Sequence, residues 1–228
     1  MKLFKEKTDL TSALFLNKGP CLHLNNIRMF PKPIQKFIEI FSKLPSIGQR
    51  QATRLAFYLA RQPELNRNLD EGLKSLLQGL KICRQCYLPF EKNGSDLCPI
   101  CSNPQRKNNI ICLVEKEIDA FSIEKMRQFK GTYHILGNLI DPADPKSYES
   151  LKIELLEGRI KKLANKIAEE IIIALNPTTD GDLTAMYLER RLKNLTKKIT
   201  RLGRGLPTGG ELEFADDETI RGAFEGRH

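Results

Sequence analysis

Cys83-Arg84-Gln85-Cys86 and Cys98-Pro99-Ile100-Cys101, separated by eleven residues, constrain this chain more than any other stretch. Two Cys-x-x-Cys knuckles at this separation bring four sulfurs to one tetrahedral ion, the closed ligand set of a structural zinc site. Asn93-Gly94 between them suits the tight turn of a connecting hairpin. A redox Cys-x-x-Cys is normally single and opens a helix, whereas here there are two and Pro99 follows Cys98. Disulfides require an oxidising compartment, and no secretory address is visible. The spacing predicts Zn²⁺ held by Cys83, Cys86, Cys98 and Cys101, a staple for a short ribbon with no open coordination position for catalysis.

A chain of 228 residues accommodates one large domain or two to three small ones. With 40% apolar and 29% charged residues it has a globular composition, and its formal net charge of +9 favours an anionic partner, most often nucleic acid. No run approaches the roughly 20 apolar residues of a membrane span. Ala13-Leu14-Phe15-Leu16 is too short for a secretory core, and Glu6 and Asp9 interrupt the approach to it. A cytoplasmic protein with reduced thiols is the expectation. Cys21 and Cys112 lie far from the knuckles, and Cys112, inside an apolar run, reads as a small core residue. Residues 1–28 lack sustained periodicity and read as a loosely ordered leader, after which Met29-Phe30-Pro31 opens a patterned domain. One hypothesis is that translation begins at Met29; a native mass that includes residue 1 would exclude it.

From Pro33, the residues Ile34, Phe37, Ile38, Phe41 and Leu44 recur at helical spacing. A second helix is predicted over 49–61, with Ala52, Leu55, Ala56 and Leu59 facing inward and Arg50, Arg54 and Arg61 sharing the opposite side. Leu44-Pro45-Ser46-Ile47-Gly48 connects the two, with Gly48 supplying backbone freedom. Helix, hairpin and basic helix form the helix-hairpin-helix arrangement, in which exposed amides and arginines hold a nucleic-acid backbone. A solvated basic face on a small helical bundle explains the same residues. A third helix over 65–80, carried by Leu69, Leu73, Leu76, Leu77 and Leu80, leads into the ribbon.

Beyond the ribbon, apolar runs alternate with helical patterns. Strands are predicted at 109–114, 131–137, 171–175 and 198–201, with helices over 118–127, 152–165 and 183–195 between them. This alternation predicts a parallel sheet covered on both faces. A loop at 205–210 precedes a candidate edge strand at 211–214 and a last helix carrying Ile220 and Phe224. Ligands of open parallel sheets gather beyond the carboxyl ends of the strands, where Glu115, Asp180 and Asp182 fall. Three such carboxylates can hold Mg²⁺. Alternatively, Asp180 or Asp182 caps the following helix. His134, flanked by Tyr133 and Ile135, reads as an interior strand residue.

The hairpin with Arg50 and Arg54, the four cysteines, Cys112-Leu113-Val114-Glu115, Gly131-Thr132-Tyr133-His134-Ile135-Leu136, Asn176-Pro177-Thr178-Thr179-Asp180-Gly181-Asp182 and Arg204-Gly205-Leu206-Pro207-Thr208-Gly209-Gly210 occur in one order. Together they resemble the bacterial RecR family of recombination mediators, from Met29 to the C-terminus. The resemblance implies an α+β multi-domain chain: a leader over 1–28, a helix-hairpin-helix domain over 29–80, a four-cysteine zinc ribbon over 81–108, a Toprim domain over 109–202 and a C-terminal oligomerisation segment over 203–228.

It also implies a tetrameric ring that binds single- and double-stranded DNA through Gly48, Arg50 and Arg54. Such a ring works with RecO and RecF to load RecA onto strands coated by single-strand-binding protein. Glu115, Asp180 and Asp182 would meet RecO, and no catalysis is implied. Two departures stand out: Ser46 replaces the family's usual Gly, and Asp180-Gly181-Asp182 replaces Glu-Gly-Glu, nearer the metal-binding pattern of catalytic Toprim proteins. The competing readings are a Mg²⁺-dependent Toprim phosphoryl-transfer enzyme, nuclease or primase-like, and an RNA-binding ribbon protein.

Overall fold

The computed structural model describes residues 29–227, so the leader expected over 1–28 lies outside the described residues. The chain separates into two compact units, with the boundary between Lys74 and Ser75.

The first unit contains α1 (Lys32–Phe41), α2 (Gln49–Leu59) and most of α3 (Pro63–Gly79). Pro33 opens α1, where a missing amide costs nothing. The inward stripes of α1 and α2 pack Ile38 against Ala52 and Ala56, and Phe30, Ile34, Phe37, Phe41 and Ile47 close the cluster. Alanines on α2 let the two backbones approach. α3 is a different case: none of its residues is buried, and Leu69, Leu73, Leu76 and Leu77 line up in solvent, Leu77 being 79% exposed. The expected leucine stripe exists, but no described residue covers it.

The α1–α2 connection differs from expectation in one respect. Ile47 N donates to Leu44 O at 3.2 Å, closing a four-residue turn with Pro45 second and Ser46 third. Proline fixes its own φ near −65°, and Ser46 has φ 64°, so this is a type II turn whose third position favours glycine. Gly48 has φ −82° and ψ 168°, which any residue adopts. The position needing backbone freedom is therefore Ser46, two residues before the one the sequence suggested. Ser46→Gly should raise unfolding stability by about 1 kcal/mol, the left-handed penalty less glycine's extra unfolded-state entropy. An unchanged urea midpoint would show that the serine carries no strain.

The second unit joins the ribbon to the α/β layer. β1 (Leu80–Ile82) pairs antiparallel with β2 (Pro89–Glu91), Lys81 opposite Phe90. The turn between them is the first cysteine knuckle itself, with Tyr87 at φ 67°. Asn93-Gly94, expected to join the hairpin, instead turns the chain after β2 toward the second knuckle, where the Asn93 side chain accepts from Ser95 N at 3.1 Å. The second knuckle opens a single helical turn, α4 (Pro99–Ser102).

Then follow β3 (Ile110–Val114), α5 (Glu117–Lys125), β4 (Thr132–Ile135), α6 (Ser147–Ser150), α7 (Ile153–Ile160), β5 (Glu170–Ala174), α8 (Thr179–Leu192) and β6 (Ile199–Arg201). The sheet has order β4-β3-β5-β6 and is parallel throughout, with Cys112 level with Tyr133 and with Ile172. β4, Thr132-Tyr133-His134-Ile135, is buried at every position although two of its four side chains are polar. One core packs Ile111, Leu113, Ile171 and Ile173 against Leu156, Ile160, Leu188 and Leu192 of α7 and α8. The other packs Val114, Tyr133 and Ile135 with the ribbon's cysteines, Leu88 and Phe90. Residues 211–214 are not an edge strand: Leu212–Phe214 is one turn of 3₁₀ helix, with no ladder partner among the described residues. Phe214 is exposed there, so nothing draws the segment onto the sheet. α9 (Asp217–Glu225) follows, capped by Asp216, which accepts from Thr219 N at 2.8 Å.

Candidate metal centre and nucleic-acid interface

The two knuckles bring Cys83, Cys86, Cys98 and Cys101 together, all buried, with their sulfurs within 4.8 Å of one another. This is the one group of three or more such ligands among the described residues. Cys86 Sγ and Cys98 Sγ are 3.5 Å apart and unbonded, close to the roughly 3.8 Å edge of a tetrahedron with 2.3 Å metal–sulfur bonds. Cys98 N donates to Cys83 Sγ at 3.3 Å. Crowding makes the four ionisations interdependent. Hydrogen bonding from Cys101 pulls Cys83 down and pulls Cys98 down to about 7, while Cys83, Cys86 and Cys98 push Cys101 up. Four thiols in this space cannot all ionise without a cation, and the donor set, closure and burial fit one tetrahedral divalent ion. Cys112 stands apart as expected: burial alone pushes its thiol up to about 12.

The ribbon docks on the outer edge of β4. Ile135 N donates to Cys86 O at 3.0 Å, and the Tyr87 ring meets His134 edge-on at 5.5 Å. His134 is interior, as its sequence context suggested, with Nε2 3.0 Å from Lys152 O. Burial, followed by the nearby Arg159 guanidinium, lowers its pKa to about 4 from 6.5. The folded state thus binds fewer protons than the unfolded chain between these values, and stability falls as pH drops from 6.5 toward 4. This group accounts for about 3 kcal/mol of that loss. Urea denaturation at pH 7 and pH 4.5 should show a smaller difference for His134→Gln than for the parent; equal differences would remove His134 as the cause.

Topology places the three acids at the carboxyl edge of the sheet, Glu115 directly after β3 and Asp180 and Asp182 in the first turn of α8. α8 begins at Thr179, earlier than predicted, and its cap is Thr178, whose Oγ1 accepts from Gly181 N at 3.1 Å. Neither aspartate caps; both add negative charge where the helix dipole welcomes it. The carboxylates do not gather into a metal-ligand set among the described residues. Glu115 pairs with Lys116 at 2.8 Å, and Asp182 is held by Arg204 and by Arg201. Arg204 also reaches Glu218 of α9 at 2.8 Å. Asp182, Arg201, Arg204 and Glu218 border a cavity of 460 Å³ at the ends of β5 and β6, which Glu115 and Asp180 do not line.

In the first unit, Gly48, Arg50 and Arg54 are exposed, and neither arginine has an ion-pair partner among the described residues. Gly48 offers α2 no side-chain cap, no described atom lies within 4 Å of where its Cβ would be, and the first-turn amides have no backbone acceptor among the described residues. Sequence reasoning missed Arg159, Arg201 and Arg204. For Arg159 a signal existed: it falls on the same helical face as Ile153, Leu156 and Ile160, where a charged residue is out of place. Arg201 and Arg204 carried no such mark.

A four-stranded parallel sheet between helices, with acids at its carboxyl edge, defines a Toprim-type protein, and the Toprim domain family matches residues 109–203. The family described as RecR, C-terminal, matches residues 205–228. The recombination protein RecR of Desulfitobacterium hafniense (strain DSM 10664 / DCB-2) is 42% identical over 198 residues, 87% of this chain and 96% of that protein. That of Roseiflexus castenholzii (strain DSM 13941 / HLO8) is 41% identical over 204 residues, 89% and 97% respectively. That of Gloeobacter violaceus (strain ATCC 29082 / PCC 7421) is 38% identical over 200 residues, 87% and 98%. This chain belongs to the RecR family of recombination proteins. No helix among the described residues is long and apolar enough to cross a membrane.

Proposed function

We propose that this chain is a DNA-binding mediator of recombinational repair, acting in the cytoplasm with RecO- and RecF-type partners to load RecA onto single strands coated by single-strand-binding protein. The observation that carries this reading is the open, uncapped start of α2 with Arg50 and Arg54 exposed and unpaired among the described residues. A helix N-terminus binds phosphate through its amides, and two guanidiniums on the same helix add charge without reading sequence. α1, the Ser46 turn and α2 serve on this reading as the helix-hairpin-helix element. Zn²⁺ is the ion for the four cysteines, in a structural role. The exposed leucines of α3 and the exposed Leu212, Phe214 and Phe224 support self-assembly into a ring of four. Glu115, Asp180 and Asp182 serve as a docking edge for RecO. The Mg²⁺-dependent phosphoryl-transfer reading has less support, because two arginines already hold Asp182 and the acids do not converge.

Salt titration of oligonucleotide binding tests the interface. Each neutralised phosphate contributes roughly 0.9 to the slope of log affinity against log salt on duplex, and roughly 0.7 on single strands. Arg50→Ala with Arg54→Ala should therefore flatten the slope by about 1.8 on duplex. A slope identical to the parent's would remove these residues from the interface.

A further inference from the structure

Arg159, on α7, is an arginine in an environment that ought not to hold one. It is 7% exposed, its guanidinium donates to Tyr133 O at 2.6 Å and to Thr132 Oγ1, and its Nε has no partner. Both acceptors are neutral. No carboxylate pairs with it among the described residues, and its titratable neighbour His134 is kept neutral by burial and by Arg159 itself. A buried cation left in this state costs several kcal/mol. Burial disfavours its charge and draws its pKa down, and the sulfurs of Cys101, Cys86, Cys83 and Cys98 act in the opposite sense.

The cysteine cluster has the complementary deficit. Four thiolates around a divalent ion leave two negative charges buried in the core that Cys86 and Cys101 share with Tyr133 and Ile135. The two deficits are joined through one strand. Arg159 holds the carbonyl of Tyr133, and two residues along β4 the amide of Ile135 holds the carbonyl of Cys86. Residues two apart in a strand point the same way and lie about 7 Å apart, so helix and knuckle grip the same rim of β4.

We propose that Arg159 is the counter-charge of the metal–tetrathiolate group, so that the ion in the ribbon and the guanidinium in the α/β core stabilise each other. The proposal rests on the reading of the four cysteines as a zinc site. It makes the metal part of the α/β core as well as a staple within the ribbon. Arg159 is a positioning and charge-balancing residue; it ligates nothing.

The test uses the full-length, zinc-loaded chain with R159M, which keeps a stem of similar length without charge, and R159K, which keeps the charge. Zinc affinity is measured by competition with a chromogenic chelator, and melting temperature with and without zinc. R159M should bind zinc about 10- to 100-fold more weakly, the usual effect of removing a group that supports metal ligands. It should also gain less melting temperature from zinc than the parent does, because its metal-free form no longer buries an uncompensated cation. R159K should stay within a few-fold of the parent. Should R159M not accumulate, R159K decides alone, and a tenfold loss there would show that hydrogen-bond geometry matters and charge does not, overturning the proposal. An R159M affinity within twofold of the parent overturns it too. A purified chain that binds no zinc overturns the metal reading beneath it, which separates the two failures.

Discussion

Removing the metal should cost the second unit more than any single side-chain change. Structural zinc in small ribbons supplies roughly 10 kcal/mol or more of folding free energy, because the ligands assemble only in the folded state. Here the ribbon has two three-residue strands and a single helical turn of its own, so little secondary structure within it would hold the knuckles in place. Cys98→Ser should act like a chelator. It removes a ligand, and with it the start of α4, whose turn hydrogen bond from Ser102 N to Cys98 O depends on the knuckle's shape. Melting followed by circular dichroism, with chelator added and zinc then restored, should show a large reversible drop for the parent and a permanent one for the variant. A melt indifferent to chelator, in protein with less than one metal per chain, would end the structural-zinc reading.

The second large effect is expected at Gly181, between the two aspartates of α8. A Cβ there would lie 2.1 Å from Asn176 O and 3.2 Å from Thr178 Oγ1. The first of these is backbone, so no rotamer change relieves the clash. The loop after β5 is folded tightly under the helix start, with Thr178 N on Asn176 O at 2.8 Å and Asp182 N on Thr178 O at 2.8 Å. Gly181→Ala must open this loop, break the Thr178 cap and displace Asp182 from its arginines. The expected loss is about 4 kcal/mol, above the usual cost of overpacking because the obstacle is backbone, or about 10 °C in melting temperature for a unit this size. A loss below 1 kcal/mol would show that the loop yields freely and that glycine is not required between the acids.

Much of this architecture is written locally and could be read from the chain. The cysteine spacing is a ligand-geometry statement, and the apolar runs at 110–114 and 171–175 suit strands covered on both faces. What escaped depends on contacts between distant residues. The hairpin turn went to Tyr87 because closing the knuckle fixes where β1 and β2 end, and Asn93-Gly94 was left for the following bend. Leu212–Phe214 alternates like a strand, but whether a strand forms depends on a partner that β6 does not supply. The edge location of the acids was legible, because alternation of strands and helices makes the strands parallel and so brings their carboxyl ends to one edge. Their capture by Arg201 and Arg204 was not, because it depends on where the chain returns after β6.

One consequence follows from the way the ribbon meets β4. That strand is the rim of the sheet, and the Ile135 amide and Tyr133 carbonyl that would otherwise face solvent are taken up by Cys86 and Arg159. Should the ribbon come away, the bared rim becomes a template on which another chain can add a strand. On the reading of the four cysteines as a zinc site, zinc starvation would endanger the cell's stock of this protein less by loosening single molecules than by letting them polymerise.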